Sequence, residues 1–426
     1  MALPASGGKI QLVTAPSEGI FHFWPHILPG GKSILFSEHP AGVVVIQSLE
    51  TGKRKVLVEN ASRPCYARSG HLLFMRSGTL MAAAFDPVGW ELTGPEVPVI
   101  ERVSYDPFWG NAAFALSHNG SLVYRPPWLP AHSIVNRSAG GEERLLAPSG
   151  RGFYYPQLSP EGRRLAMTIE DDHGHDVWVF DLGSGLFTRI TFDAAVEFTP
   201  VWTRDGSRLI YSVVSGGMPE IRWKAADGSQ ASERLVESKL AVFPSTLTPG
   251  DAELIYVQAG RAGGWDIMAV SLKNKAEPRR LLGEAFHEVQ PVLSPDGRWL
   301  AYASDETGRF EVFVRSYPDL KSRWQVSGEG ATEPRWAHDG RELFYRSGRR
   351  YYAVSVPAEP RFSRGSPRLL FEGNYESGLP AFTSYDVSAD NRSLILIRGK
   401  QESPTEIRVI LNWFEELRAR AIPGKH

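Results

Sequence analysis

One cysteine, Cys65, stands among 426 residues, so no intrachain disulfide can brace the fold and stability has to come from packing. Neither sign of charge is in excess: 47 Lys and Arg against 48 Asp and Glu leave a net charge of −1. A chain so balanced exerts no long-range pull on nucleic acid or acidic lipid, and the basic pairs Arg163-Arg164 and Arg349-Arg350 are short and sit beside strand-like runs. Long apolar runs are missing too. None approaches the ~18–20 residues of a membrane-spanning helix. The start MALPASGGKIQLVTAP has neither the basic segment nor the apolar core of a secretion signal. These absences describe a soluble chain, cytoplasmic as it stands, or extracytoplasmic if it belongs to a longer, membrane-anchored one.

Catalytic signatures are also lacking. No Gly-rich loop leads to a VAIK-like strand, and HRD and DFG do not occur, so phosphoryl transfer of the kinase type is excluded. GGKS at Gly30–Ser33 would need a glycine at position 26 to cradle phosphates, and His26 is there. No Gly-x-Ser-x-Gly elbow exists to present a nucleophilic serine.

What the chain does have is turns. Its 31 prolines and 41 glycines are dispersed, and many fall in one recurring unit. SPDGRWLAYASDETGRFEVFVRSYP, residues 294–318, reads as a tight turn, a strand, a polar hairpin tip and a second strand. Proline fixes φ at the second turn position and glycine suits the fourth. The same grammar begins at Gln157, Val201, Thr246 and Arg335, and in weaker form at His26, Cys65, Phe114 and Tyr385. Spacings of about 40–50 residues are those of four-stranded propeller blades, whose central strands are apolar on both faces because sheets stack on both sides.

The fold class expected is therefore all-β: a single closed β-propeller of four-stranded antiparallel blades, with nine copies giving seven to nine blades. Residues 7–16 are expected to close the last blade, residues 17–411 to hold the repeats, and residues 412–421 to form a short helix. Asn412 and Glu415 have the spacing of a capping box for that helix.

The Ser-Pro-Asp-Gly-type turns at 159–162, 203–206, 294–297 and 337–340 resemble those of the TolB-like propeller family. SGHLLFMRSGTLMAAAFDPVGWELTGPEVPV, DGRELFYR and LNWFEELRAR resemble, more narrowly, the propeller region attached to some bacterial serine/threonine kinases. The resemblance implies a sensor or interaction module of a signalling protein. It implies no particular chemistry, because the repeat is a scaffold that hosts unrelated activities.

The candidate binding residues lie just before the blade-start prolines, where a propeller chain enters the central channel: His22, Tyr154, Tyr155, Glu197, His287, Glu288 and Glu333. A ring of such groups would suit a protein or peptide partner, a small ligand or a metal. EDDHGHD concentrates oxygen and imidazole donors in one hairpin, making Asp171, Asp172, His173, His175 and Asp176 candidate ligands for Ca2+ or another divalent metal. Its spacing is not that of an EF-hand, and a solvated hairpin tip is expected there in every blade. The reading is thus a non-catalytic, monomeric binding scaffold without a cofactor. The alternative is a metal-assisted lyase or hydrolase with its site in the channel, using histidines such as His22 and His26.

Overall fold

The structure, a computed structural model, describes residues 9, 12–17, 20–39, 41–106, 110–127, 131–171, 174–193, 195–215, 218–260, 264–273, 277–357, 361–378, 381–399 and 406–422. The chain divides into two compact units, one of Met1–Trp128, Gly216–Met218 and Glu402–His426, the other of Leu129–Ser215 and Pro219–Gln401.

The second unit holds six of the nine copies as six antiparallel sheets. Four are self-contained and run over residues 196–237, 242–282, 288–325 and 332–372. The other two share the long strand Glu143–Leu158, whose C-terminal part starts the first sheet with Arg164–Asp171, Gly174–Asp181 and Phe187–Arg189. Its N-terminal part is the outer strand of the last sheet, beside His132–Ser138, Ser393–Gly399 and Tyr385–Val387.

Alternate residues of each central strand face opposite neighbours. Leu300 and Tyr302 pack with Ile255 and Ile267 of the preceding sheet, while Trp299 and Ala301 pack with Trp336 and Leu343 of the following one. Such cores recur around the unit, and one of them joins Ile395 and Ile397 of the last sheet to Phe153 and Leu165 of the first. The sheets therefore form a ring of six. Of the expected seven to nine blades, three copies lie instead in the first unit.

The Ser-Pro-Asp-Gly turn works as its chemistry predicts. In the clearest copy the Ser294 hydroxyl donates to Asp296 at 2.6 Å and accepts from the Trp299 amide at 3.0 Å. Ser159, Thr203, Thr248 and Ser388 accept the equivalent amide five residues on. Adjacent turns also touch. Arg164 donates to the Gly206 carbonyl, the Arg204 amide to Asp251, and the His338 amide to Asn391. Gly297 lies against Pro249 and Gly162 against Ala389. One face of the ring, the turn face, is stitched along its rim by these contacts.

Of the expected closing strand, residues 7, 8, 10 and 11 lie outside the described residues, and among 9 and 12–16 no strand forms; in the last sheet the third strand is His132–Ser138, paired over seven positions from His132↔Gly399 to Ser138↔Ser393. The reciprocal exchange occurs in the first unit, where Arg408–Ile410 pairs with Leu122–Tyr124. Two copies have traded third strands. Their side-chain patterns are interchangeable, so connectivity decides the partner: His132–Ser138 leads directly into the hairpin that begins the ring.

The first unit contains the sheet Phe21–Ile27, Ser33–His39, Val43–Ser48, Arg54–Glu59 and a second sheet built on Ser62–Ala67, His71–Arg76 and Thr79–Asp86. Its helix spans Trp413–Arg420, but the capping box is not made: Asn412 has φ of 56° and no side-chain cap. Burial of Trp413 and Leu417 in a core with Leu73, Leu80 and Val99 anchors the helix instead.

Candidate functional site: the channel and its mouth

The innermost strands of the ring carry a repeated bulge. Tyr155, Thr199, Gln290 and Glu333 have φ between 54° and 58°, and each is followed by proline. The α region is disfavoured before proline, and the left-handed region costs a non-glycine residue about 1 kcal/mol or more. At each site the pairing register shifts, as between Tyr154 and Gln157 or Phe198 and Val201. The bulge re-aims the strand, and it turns Pro200, Pro291 and Pro334 onto the wall of a narrow central channel.

Arg335 is the one charged residue of that wall among the described residues. Its guanidinium donates to the Thr383 hydroxyl, lies 3.9 Å from Asp386, and donates to the Gln157 amide when the oxygen of that amide faces it.

The mouth on the other face, where each outer strand connects to the next innermost strand, is filled. Phe382 sits over it with its ring centre 4.6 Å from Phe243, 4.8 Å from Tyr155 and 6.1 Å from Phe198. The Gln290 side-chain amide donates to the Phe382 carbonyl at 2.6 Å.

Of the residues expected at the mouth, Tyr155 alone has its side chain among the channel wall and the plug. Tyr154 faces away, donating to Glu170 at 2.8 Å and meeting His132 edge-on; burial raises its pKa far above the usual phenol range. Glu333 is buried and satisfied: its carboxylate accepts from the Ser384 amide and hydroxyl, both at 2.6 Å, and Arg346 lies 3.7 Å away. His287 stands beside Asp305, whose carboxylate accepts the His287 amide at 2.8 Å.

Glu197 and Glu288 are buried between sheets, not presented at an open rim. Both carboxylate oxygens of Glu197 and Oε2 of Glu288 are buried without a hydrogen-bond partner among the described residues. Burial pushes each carboxyl up to about 7, helped by Asp193 and Asp176 around Glu197 and by Glu284 and Asp266 around Glu288. The nearby Thr191 hydroxyl and Lys224 oppose the first shift, and the Glu284 backbone and Arg315 the second.

His22 belongs to the first unit, on strand Phe21–Ile27, where Nε2 lies 3.1 Å from Glu38 and burial lowers its pKa. Burial lowers that of His26 as well.

The described side chains of the acidic hairpin are engaged with separate partners. Asp176 is buried under Arg189 at 2.8 Å, and His175 lies 3.7 Å from Glu170, whose carboxylate already takes Tyr154. Asp171 pairs across the hairpin with Gly174, while Asp172 and His173 lie outside the described residues. Among the described residues no group of three His, Cys, Asp or Glu side chains is arranged to hold a metal.

Sequence reasoning missed Phe382, Gln290 and Arg335. One signal was available: residues 373–384, between the strands Arg368–Glu372 and Tyr385–Val387, make the longest outer-to-inner connection of the ring.

Comparison with known proteins agrees with this ring. Residues 139–330, somewhat under half of the chain, match the TolB beta propeller domain family. The ring is a TolB-like β-propeller. The Tol-Pal system protein TolB of Anaeromyxobacter dehalogenans is 28% identical over 115 residues, covering 24% of this chain and 26% of that protein. The Francisella tularensis protein of the same name is 22% identical over 156 residues, 36% of this chain and 35% of that one. The alignments thus span about a quarter to a third of these relatives' length. A solved TolB structure from Agrobacterium tumefaciens superposes with a TM-score of 0.53 at 16% identity, covering 64% of this chain and 99% of that one, a likeness of fold. No helix among the described residues is long and apolar enough to cross a membrane.

Proposed function

We propose that the TolB-like ring is a non-catalytic recognition module that takes a protein or peptide partner on its connection face, around the channel mouth. The observation that carries this is the placement of exposed aromatics. Phe192, 62% exposed, and Phe286, 39% exposed, both lie on connections that lead into innermost strands. Aromatic anchors are the side chains on which protein interfaces concentrate their binding free energy. The turn face is engaged instead in turn-to-turn contacts.

The kinship of residues 139–330 to Tol-Pal system proteins favours the extracytoplasmic alternative over a cytoplasmic location. The likeness to kinase-attached propellers extends the proposal, with the ring reporting a binding event to a bacterial signalling chain.

A photo-crosslinking side chain placed at Phe286 should capture a discrete partner from cells. The same group at Arg341, on the turn face, should not. Equal capture from both positions would overturn the assignment of the face.

A further inference from the structure

One arrangement recurs in the third and fifth sheets of the ring. In the third, Arg279 donates to Glu253 at 3.0 and 2.9 Å; in the fifth, Arg368 donates to Glu342 at 3.0 Å. The two pairs are equivalent by register. Glu253 faces Ser271 and Arg279 faces Ala269, as Glu342 faces Ser355 and Arg368 faces Ala353. Each pair lies beside the end of the third strand of the following sheet, and there the two cases part.

In the fourth sheet the third strand ends at Ser316, and the next residue, Tyr317, donates its hydroxyl to Glu253 at 2.9 Å. The Tyr317 ring packs against the core shared by the third and fourth sheets. In the last sheet the third strand ends at Ser138, which pairs with Ser393 as Ser316 pairs with Trp299. The next residue there is Ala139, and it is exposed. Elsewhere in the ring the residue in this place reaches the core shared with the preceding sheet, as Leu182, Ala226, Leu272 and Val356 do. Beside Ala139, between the fifth and last sheets, a pocket of about 270 Å3 opens onto Glu342 and Arg368.

The pocket has an apolar floor and a basic rim. Phe344, Phe371 and Leu394 line it from the core of these two sheets. Among the described residues, three arginines, Arg137, Arg368 and Arg392, line it against the single carboxylate of Glu342. The Arg137 guanidinium donates to the Tyr375 hydroxyl at 2.7 Å and lies 4.5 Å over the Phe371 ring. Pockets for drug-sized ligands begin near 300 Å3, so this one suits a molecule of a single ring.

We infer that this pocket binds a small phenol that carries a carboxylate. Its ring takes the place that Tyr317 fills between the third and fourth sheets, its hydroxyl donates to Glu342, and its carboxylate faces the arginine rim, where charge-assisted bonds are strongest. The pocket lies beside the contact between the His338 amide and Asn391, on the turn face. It is therefore a second site, apart from the connection face proposed for a protein or peptide partner.

Calorimetric titration of the full chain with 4-hydroxyphenylacetate should show saturable binding at one site. Phenylacetate, which lacks the hydroxyl, and 4-hydroxyphenylethanol, which lacks the carboxylate, should each bind at least about tenfold more weakly. Ala139→Tyr supplies from the chain itself the ring found at Tyr317, and should weaken binding of 4-hydroxyphenylacetate at least about tenfold without lowering the melting temperature. If Ala139→Tyr does not fold, Ala139→Leu carries the same comparison. Glu342→Ala should bind 4-hydroxyphenylacetate and phenylacetate alike.

An unaltered protein that shows no saturable binding, or that binds the three compounds equally, would overturn the inference. So would a folded Ala139→Tyr that binds as the parent does, or a Glu342→Ala variant that keeps the preference for the hydroxyl.

Discussion

The Leu158 amide donates to the Asp386 carboxylate at 2.7 Å, joining the innermost strand of the first sheet to that of the last, 228 residues away in sequence. The other Asp386 oxygen accepts from its neighbour's amide at Val387 and faces Arg335. One side chain thus satisfies a buried donor at the seam where the ring closes and balances the charge in the channel wall.

Asp386→Ala should leave the Leu158 amide unsatisfied in a buried seam, at a cost of about 1–3 kcal/mol. Urea denaturation would measure it as a lower midpoint with an unchanged slope. Asp386→Asn keeps an acceptor and should recover a large part of the loss. Equal destabilisation by the two variants would show that the seam does not depend on this bond.

The two buried glutamates predict a pH dependence of unusual sign. A carboxyl whose pKa is raised in the folded state holds more protons there than in the unfolded chain. Its effect is to lower stability as pH rises between the ordinary glutamate value of ~4.5 and the folded value of about 7. Glu197→Gln should be indistinguishable from the unaltered protein near pH 4.5 and more stable at pH 8, by up to about 2–3 kcal/mol. Glu288→Gln should act in the same direction. Denaturation midpoints across pH 4.5–8 would test this, and parallel curves for variant and parent would refute it.

The turn glycines separate two kinds of strain. Gly297 has φ of 73°, and a Cβ there would lie 2.5 Å from the Pro249 ring, whereas Gly308 has φ of 88° with open space around it. Gly308→Ala should cost only the left-handed backbone penalty of roughly 1–2 kcal/mol. Gly297→Ala should cost measurably more, because proline cannot swing aside. Melting temperatures of the two variants give the comparison directly.

Leu300 is wholly buried between the third and fourth sheets of the ring, while Leu369 is 51% exposed on an outer strand. Leu300→Ala should lose about 2–5 kcal/mol through lost burial and the cavity left behind. Leu369→Ala should change stability by no more than about 0.5 kcal/mol. Similar losses at both positions would mean that the sheets do not stack as described.

The Ser-Pro-Asp-Gly turn, its strand pair and the two-faced burial of the central strands were legible in the residues because each depends on neighbours within a few positions. Ser294, Asp296 and Trp299 make their bonds inside a six-residue stretch, and Leu300 next to Ala301 shows at once that both faces are buried. The capping box failed at the same range. Asn412 and Glu415 are correctly spaced, but the left-handed backbone at Asn412 precludes the cap, and Trp413 and Leu417 anchor the helix through contacts far away in sequence.

Local chemistry alone thus determined an all-β chain of repeated four-stranded units whose turns and hairpins lie where the residues placed them. Three things were left to the tertiary structure. Strand exchange between His132–Ser138 and Arg408–Ile410 was hidden because equivalent strands of different copies carry the same pattern and compete for the same edges. The distinction among Glu197, Glu288 and Glu333 was hidden because it depends on whether donors such as Ser384, on the connection into the last sheet, and Arg346, on the neighbouring strand, reach the carboxylate. The identity of the residue in the channel mouth was hidden because Phe382 reaches Tyr155, Phe198 and Phe243 only when the ring has closed.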